Sequence, residues 1–206
     1  MTNLLYDPLG FVGPVVLSAR LLYSEICREK FGWDEPLPSV YAKGWSSWLN
    51  NLTRFCEIKI PRCYRPRMDG SIQCQLHFFS DASNVARGTV CYLRMILPDS
   101  LIQCSFIMGK SHTGGPNRST IPRLELEAAL DAVKLSLMVK QELEVQDCPC
   151  FFWTDSCIVL HSLHADCKRF SLFPRNRLQR ILSHTKVYDW GYINTKHNPA
   201  DNLHEV

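Results

Sequence analysis

No run in this 206-residue sequence reaches the roughly 18 uninterrupted apolar residues of a membrane span, so no transmembrane helix is expected. The opening stretch MTNLLYDPLGFVGPVVLSARLL lacks a basic leading segment and is broken by Asp7, Pro8 and Pro14, which argues against a secretory signal. Low-complexity tracts and internal repeats are missing as well. Strong charge of either sign is absent: 23 Lys and Arg stand against 20 Asp and Glu, and a net charge of +3 does not by itself argue for nucleic acid. Paired CxxC spacing is lacking too. Cys148-x-Cys150, Cys157 and His161-x-x-His164-x-x-Cys167 do not reproduce it, so structural zinc is not expected and the ten cysteines read as reduced thiols. Together these absences point to an intracellular chain, cytoplasmic or nuclear, with no membrane segment and no small-molecule cofactor.

What is present is a globular composition. Hydrophobic and charged shares of 46% and 21% suit a packed core rather than a disordered chain. Val15, Val16, Ala19, Leu22, Ile26 and Cys27 recur at helical intervals and predict a helix over 14–31. After the breaker WDEPLP, Trp45, Trp48, Leu49 and Leu52 form the apolar stripe of a second helix over 40–52. The stretch 58–70, with its prolines, basic residues and Asp69-Gly70, reads as a linker or exposed hairpin. A domain boundary is therefore expected near residue 70, between a helical connection region (1–70) and a second domain (71–206).

Beyond that point the period changes to two. Ile72, Cys74, Leu76 and Phe78 alternate with Gln73, Gln75 and His77 in a strand ending at Asp81. Strands follow over 86–96 and 101–108, with Pro98-Asp99-Ser100 as the turn, which suggests an antiparallel meander. A polar loop (110–120) leads to the longest helical pattern, 122–143, opened by Pro122. Next come a strand (149–154), helices over 157–164 and 173–184, a strand (187–194) and a turn at Asn198-Pro199. The order βββαβααβ predicts an α/β fold, a mixed five-stranded sheet flanked by helices. Two basic clusters, Arg54, Lys59, Arg62, Arg65 and Arg67, then Lys168, Arg169, Arg175, Arg177 and Arg180, fit either solvated faces or a phosphate-contacting surface.

Four acids fall where such a fold would gather them. Asp81 ends the first strand in FFSDAS, Asp155 ends the fourth in FWTDS, and Asp201 follows the last turn in NPADN. In the long helix, RLELEAALDA offers Glu125 and Glu127. Glu125 shares a face with Ala128, Ala129, Ala132 and Ser136, whereas Glu127 sits with Asp131 and Lys134 on what reads as a solvent face. Glu125 is therefore the inward acid. A single aspartate at a strand end is commonly a cap, but caps do not explain an inward glutamate. Hard oxygen donors in such a group suit magnesium or manganese, and two such ions can serve phosphodiester hydrolysis.

These motifs carry a resemblance. FSDAS, the spacing to RLELEAA, then WTDS and NPAD are similar to the ribonuclease H fold of retroelement polyproteins. YDPLGFVGPVVLSARLLYSEI, GWDEPLP, Trp45-x-x-Trp48, IPRCY and TIPRLEL resemble the BEL/Pao retrotransposon polyprotein, in the region often labelled the Pao retrotransposon peptidase family. The likeness spans about residues 4–203. It implies that Asp81, Glu125, Asp155 and Asp201 bind two Mg²⁺ or Mn²⁺ ions and hydrolyse the RNA strand of an RNA–DNA hybrid. It implies Ser83, Arg123, Ser156, Lys196, His197 and Asn198 as nucleic-acid contacts, with local capping standing equally for Ser83 and Ser156 and a solvated loop the plainer role for Lys196, His197 and Asn198. It also implies a partner in the reverse transcriptase region of a parent polyprotein.

Two departures from the family pattern stand out. Asn202-Leu203-His204-Glu205 replaces a serine-arginine-glycine-like continuation, which predicts a shortened C-terminus and a weakly anchored Asp201. The paired-aspartate motif of a polymerase is absent. Two other functions compete with the nuclease: a non-catalytic connection or binding fragment, and an aspartic peptidase. The last wants Asp-Thr-Gly or Asp-Ser-Gly, and the chain has Asp81-Ala82-Ser83 and Asp155-Ser156-Cys157 instead.

Overall fold

The computed structural model describes residues 5–32, 34–53, 55, 59–61, 63–64, 73–98, 100–114 and 120–203. The expected boundary at residue 70 lies outside these residues, as do Arg54, Arg62, Arg65 and Arg67 of the first basic cluster. Five strands, β1 (Gln73–Ala82), β2 (Ala86–Ile96), β3 (Ile102–Thr113), β4 (Cys150–Thr154) and β5 (Trp190–Tyr192), form one sheet in the order β3-β2-β1-β4-β5. The β1–β2 and β2–β3 pairs are antiparallel; β1–β4 and β4–β5 are parallel. The helices are α1 (Gly13–Glu29), α2 (Ser39–Leu52), α3 (Ile121–Glu142), α4 (Cys157–His164) and α5 (Leu172–Leu182). Among the described residues no helix is long and apolar enough to cross a membrane.

The alternation read from β1 sets the core. Leu76 and Phe78 are fully buried on the face toward α3, while Gln75, His77 and Phe79 on the other face are half-buried. Phe78 stacks on Phe152 of β4 at 5.3 Å, beneath Leu126, Ala129 and Val133 of α3. Ala128, Ala129 and Ala132 let α3 lie close against β1 and β2. Leu178 and Ile181 of α5 close the core from the side. Each large side chain so buried contributes about 1.5–3 kcal/mol.

Two strand ends differ from the sequence expectation, each for a local reason. β3 runs five residues past Met108, because Gly109–Thr113 pair with the first residues of β2. Polar side chains disguised that extension as a loop. Gly109 also donates its N–H to the Leu9 carbonyl at 2.8 Å, docking the opening loop on the strand. There Gly10 has φ +77°, and a Cβ on it would stand 2.1 Å from the Gly109 carbonyl oxygen, so only glycine fits. Asp7 holds the same loop by accepting the N–H groups of Gly10, Phe11 and Val12 at 2.9–3.0 Å. β5 is shorter than expected: Asp189 accepts the Lys186 N–H at 2.8 Å and winds Val187–Asp189 into a 3-10 turn.

The helical segment packs onto the sheet domain. α1 lies on β3 and against the 3-10 turn Asp201–Leu203. α2 rests on α1, where the Trp48 indole donates to the Val15 carbonyl at 2.7 Å.

Candidate active site

The sheet register brings two of the four acids side by side. Ser80 of β1 pairs with Thr154 of β4, so Asp81 and Asp155 are each the next residue on adjacent parallel strands. Such strands run about 4.8 Å apart. Asp81 is buried, pairs with Gly88 of β2, and its Oδ1 accepts the Ala82 N–H at 2.7 Å. Asp155 accepts the Thr195 hydroxyl at 2.6 Å. Thr195 escaped sequence reasoning: it lies 40 residues on, in a short 3-10 turn (Thr195–His197) that no periodicity marks.

Glu125 reaches the same end of the sheet from α3. Its Oε2 accepts the Ser156 hydroxyl at 2.5 Å, and Ser156 accepts the Val159 N–H at 3.2 Å as the N-cap of α4. One serine therefore fixes the start of α4 and orients the glutamate. Its two bonds also account for its burial, and they give it a positioning role beside Asp155. Ser83 acts locally as well, since its hydroxyl closes the β1–β2 turn with Val85 and Ala86.

Asp201 is held more firmly than its neighbours in sequence suggested. Asn198 is 3% exposed; its amide donates to the Ser80 carbonyl at 3.2 Å and accepts the Ala200 N–H at 3.2 Å. Asp201 donates its own N–H to the Asn198 carbonyl at 3.1 Å. The loop before the fourth acid is thus pinned to the residue before the first. Asn198, read as a member of a solvated loop, is interior for this reason. Lys196 and His197 beside it are exposed.

Arg123 is exposed and lies over the Phe173 ring at 5.0 Å, with Arg177 over the same ring at 3.3 Å. In the second basic cluster Arg175 donates to the Lys168 and Phe170 carbonyls. Arg177 pairs with Glu127 at 2.8 Å. Those two arginines are spent inside the molecule. Glu127 and Asp131 correct the solvent-face reading: Asp131 is buried, and Arg87 of β2 bonds both, at 3.3 Å and 2.8 Å. Burial alone would raise the Asp131 carboxyl; the hydrogen bonds from Lys134 and Arg87 outweigh it and hold the group below its ordinary range.

The face carrying Asp81 and Asp155 is aromatic. Trp153 donates its indole N–H to His77 Nδ1 at 3.0 Å, and His77 Nε2 stands 3.4 Å from Gln75. Nδ1 must therefore be the unprotonated nitrogen. Burial first, and then the Arg94 guanidinium, lower the His77 imidazole below its usual range, in keeping with that neutral tautomer.

The groups that Ser156 and Thr195 bond here, the carboxylates of Glu125 and Asp155, are oxygen donors, as is the neighbouring Asp81. Hard oxygen donors fit Mg²⁺ or Mn²⁺ rather than zinc. Among the described residues no three His, Cys, Asp or Glu side chains are already gathered to hold a metal. Like-charged carboxylates at one sheet end repel, and Asp81, Glu125 and Asp155 each take a local donor instead.

No curated protein matches the chain. Among solved structures, the ribonuclease H1 of the archaeon Halobacterium salinarum is similar at 15% identity over 64% of this chain and 93% of its own, TM-score 0.40. A ribonuclease H1 termed LC11, solved with an RNA/DNA hybrid, gives 14% identity over 64% and 93%, TM-score 0.43. A foamy viral protease-reverse transcriptase solved with dsDNA gives 15% identity over 96% of this chain and 40% of its own, TM-score 0.46. The family model of the Pao retrotransposon-like RNaseH-like domain matches residues 1–156, taking in Asp81, Glu125 and Asp155 and ending before Asp201. The mixed sheet in the order β3-β2-β1-β4-β5 is the ribonuclease H-like architecture that this match implies. By that match over most of its length, the chain belongs to the Pao retrotransposon-like RNaseH-like domain family.

Proposed function

We propose that this domain is a metal-dependent endonuclease that hydrolyses the RNA strand of an RNA–DNA hybrid. The observation that carries the reading is the β1–β4 register, which sets Asp81 and Asp155 side by side at one sheet end. Glu125 is turned to that end by Ser156. Asp81, Glu125, Asp155 and Asp201 would hold two Mg²⁺ or Mn²⁺ ions, which when bound supply an activated water and stabilise the leaving oxygen.

The chain's own residues prepare that chemistry in three ways. Ser156 and Thr195 hold Glu125 and Asp155 by short hydrogen bonds, which fix where each carboxylate stands before a cation arrives. Asn198 ties the Asp201 loop to β1. Exposed Lys196, His197 and Arg123 offer charge and donors to a nucleic-acid backbone around the acids. The helices before the sheet would serve as the connection to a reverse transcriptase region. A peptidase role finds no support, because neither strand-end aspartate is followed by the glycine loop that lets two such groups meet.

The test is a labelled hybrid incubated with Mg²⁺ or Mn²⁺, with Asp155→Asn alongside. Cleavage by wild type and a loss on the order of 10²–10³-fold or more in the variant support the nuclease. Binding of hybrid by both proteins without cleavage by either would make this a non-catalytic module.

A further inference from the structure

All five ion pairs found among the described residues belong to one cluster. Arg87 of β2 is its centre. Its guanidinium bonds Glu127 and Asp131, which stand four residues apart and so one turn apart on the same side of α3. Arg177 of α5 takes the other oxygen of Glu127 at 2.8 Å, and Lys134 takes the other oxygen of Asp131 at 2.7 Å. His112 of β3 faces Asp131 at 3.6 Å, and Lys110 lies near enough to His112 to act on it. The imidazole is held below its ordinary range, by burial first, so it adds little charge at neutral pH.

A network this half-buried is a poor source of stability, because its inner ions give up hydration and its outer ones are screened by solvent. What it can supply is placement. Arg87 sits opposite Ala82 and beside Gly88, the partner of Asp81. Glu127 lies two residues beyond Glu125. The cluster thus joins the strand pair that carries one acid to the helical turn that carries another. Two anchor points one turn apart fix both the rotation of α3 about its axis and its shift along it. A carboxyl about 6 Å from a helix axis moves about 1 Å for each 10° of rotation, which is enough to spoil a catalytic constellation.

We infer that Arg87 is a positioning residue for Glu125, acting through Glu127 and Asp131 to set the glutamate against Asp81. The inference rests on the nuclease reading for its purpose, but it concerns a geometry that can be measured without turnover. Arg87→Met suits the test, since Glu127 keeps Arg177 and Asp131 keeps Lys134, and no acid is left buried alone. Lys134→Met is the control. It removes a cation from the same cluster, but one that bonds within α3 and joins no second element.

The readout is the ¹³C chemical shift of the Glu125 carboxyl at pH 7, with thermal midpoints and hybrid cleavage recorded on the same proteins. Arg87→Met is expected to shift the Glu125 carboxyl resonance, and to lower kcat at least tenfold with KM for hybrid within about twofold. Arg87→Lys should restore part of both. Lys134→Met should lower the thermal midpoint and leave the Glu125 signal in place. An Arg87→Met protein that loses only thermal stability, with the Glu125 resonance unmoved, overturns the inference. If wild type does not cleave but Arg87→Met still moves Glu125, the positioning stands and the nuclease reading falls.

Discussion

The two ends of the β1–β4 pair are built from opposite chemistry. At one end Asp81 and Asp155 leave adjacent strands, with Glu125, Ser156 and Thr195 around them. At the other, Cys74 and Cys150 are half-buried and Cys148 is buried, beside a cavity of about 310 Å³ lined by Lys140, Phe151 and Tyr188 among others. Burial pushes the Cys148 thiol up to about 11, and it raises Cys91 and Cys150 as well. Those thiols act as small apolar groups. One sheet thus carries carboxylates and hydroxyls at one end and thiols packed as apolar groups at the other.

The sharpest way to break the contrast is to damage the core. Phe152→Ala should cost about 3–5 kcal/mol, read as a drop in urea midpoint. Asp155→Asn, two strand positions past Trp153, should leave that midpoint nearly unchanged. A large loss in Asp155→Asn would mean that the acid is part of the structural core. A smaller effect is expected at the junction of the two regions. Ser156→Ala removes the α4 cap and should cost about 1 kcal/mol by thermal unfolding, while cleavage falls further than that loss explains, because Glu125 also loses its donor.

The aromatic face gives a pH test. His77 is lowered from its ordinary value, so the unfolded chain binds a proton there more readily than the folded one. Its contribution to stability is therefore present near pH 7. It is lost as pH falls below about 6.5, the unfolded value, down through the folded one. Urea midpoints at pH 7 and pH 5.5 should differ in that direction, and His77→Phe should shrink the difference. The smallest effect is chemical. At pH 8, iodoacetamide should label exposed Cys27, Cys63, Cys104 and Cys157 well before Cys91 or Cys148, as peptide mapping would show.

Much of this was legible in the sequence, and where it failed the reasons are physical. Strand-end acids announce themselves, so FSDAS and WTDS located Asp81 and Asp155 directly. The small-residue face of α3 singled out Glu125, which Ser156 bonds at the end of β4. That same pattern misread Glu127 and Asp131, because helical periodicity sees one helix and Arg87 and Arg177 arrive from other elements. Thr195, and the buried bonding of Asn198, were beyond reach for a similar reason: their bonds to Asp155 and Ser80 span 40 and 118 residues. The far end of β3 was hidden by polar side chains that pair through their backbone.

The proposed nuclease requires the carboxylate end of this sheet to bind a hard divalent cation. Counting free Mn²⁺ by electron paramagnetic resonance, for wild type and Asp155→Asn, tests it most directly. Wild type is expected to bind Mn²⁺, Mg²⁺ to displace it, and the variant to bind at least about tenfold more weakly. Absence of Mn²⁺ binding by wild type at millimolar concentration, or equal binding by the two proteins, would contradict it.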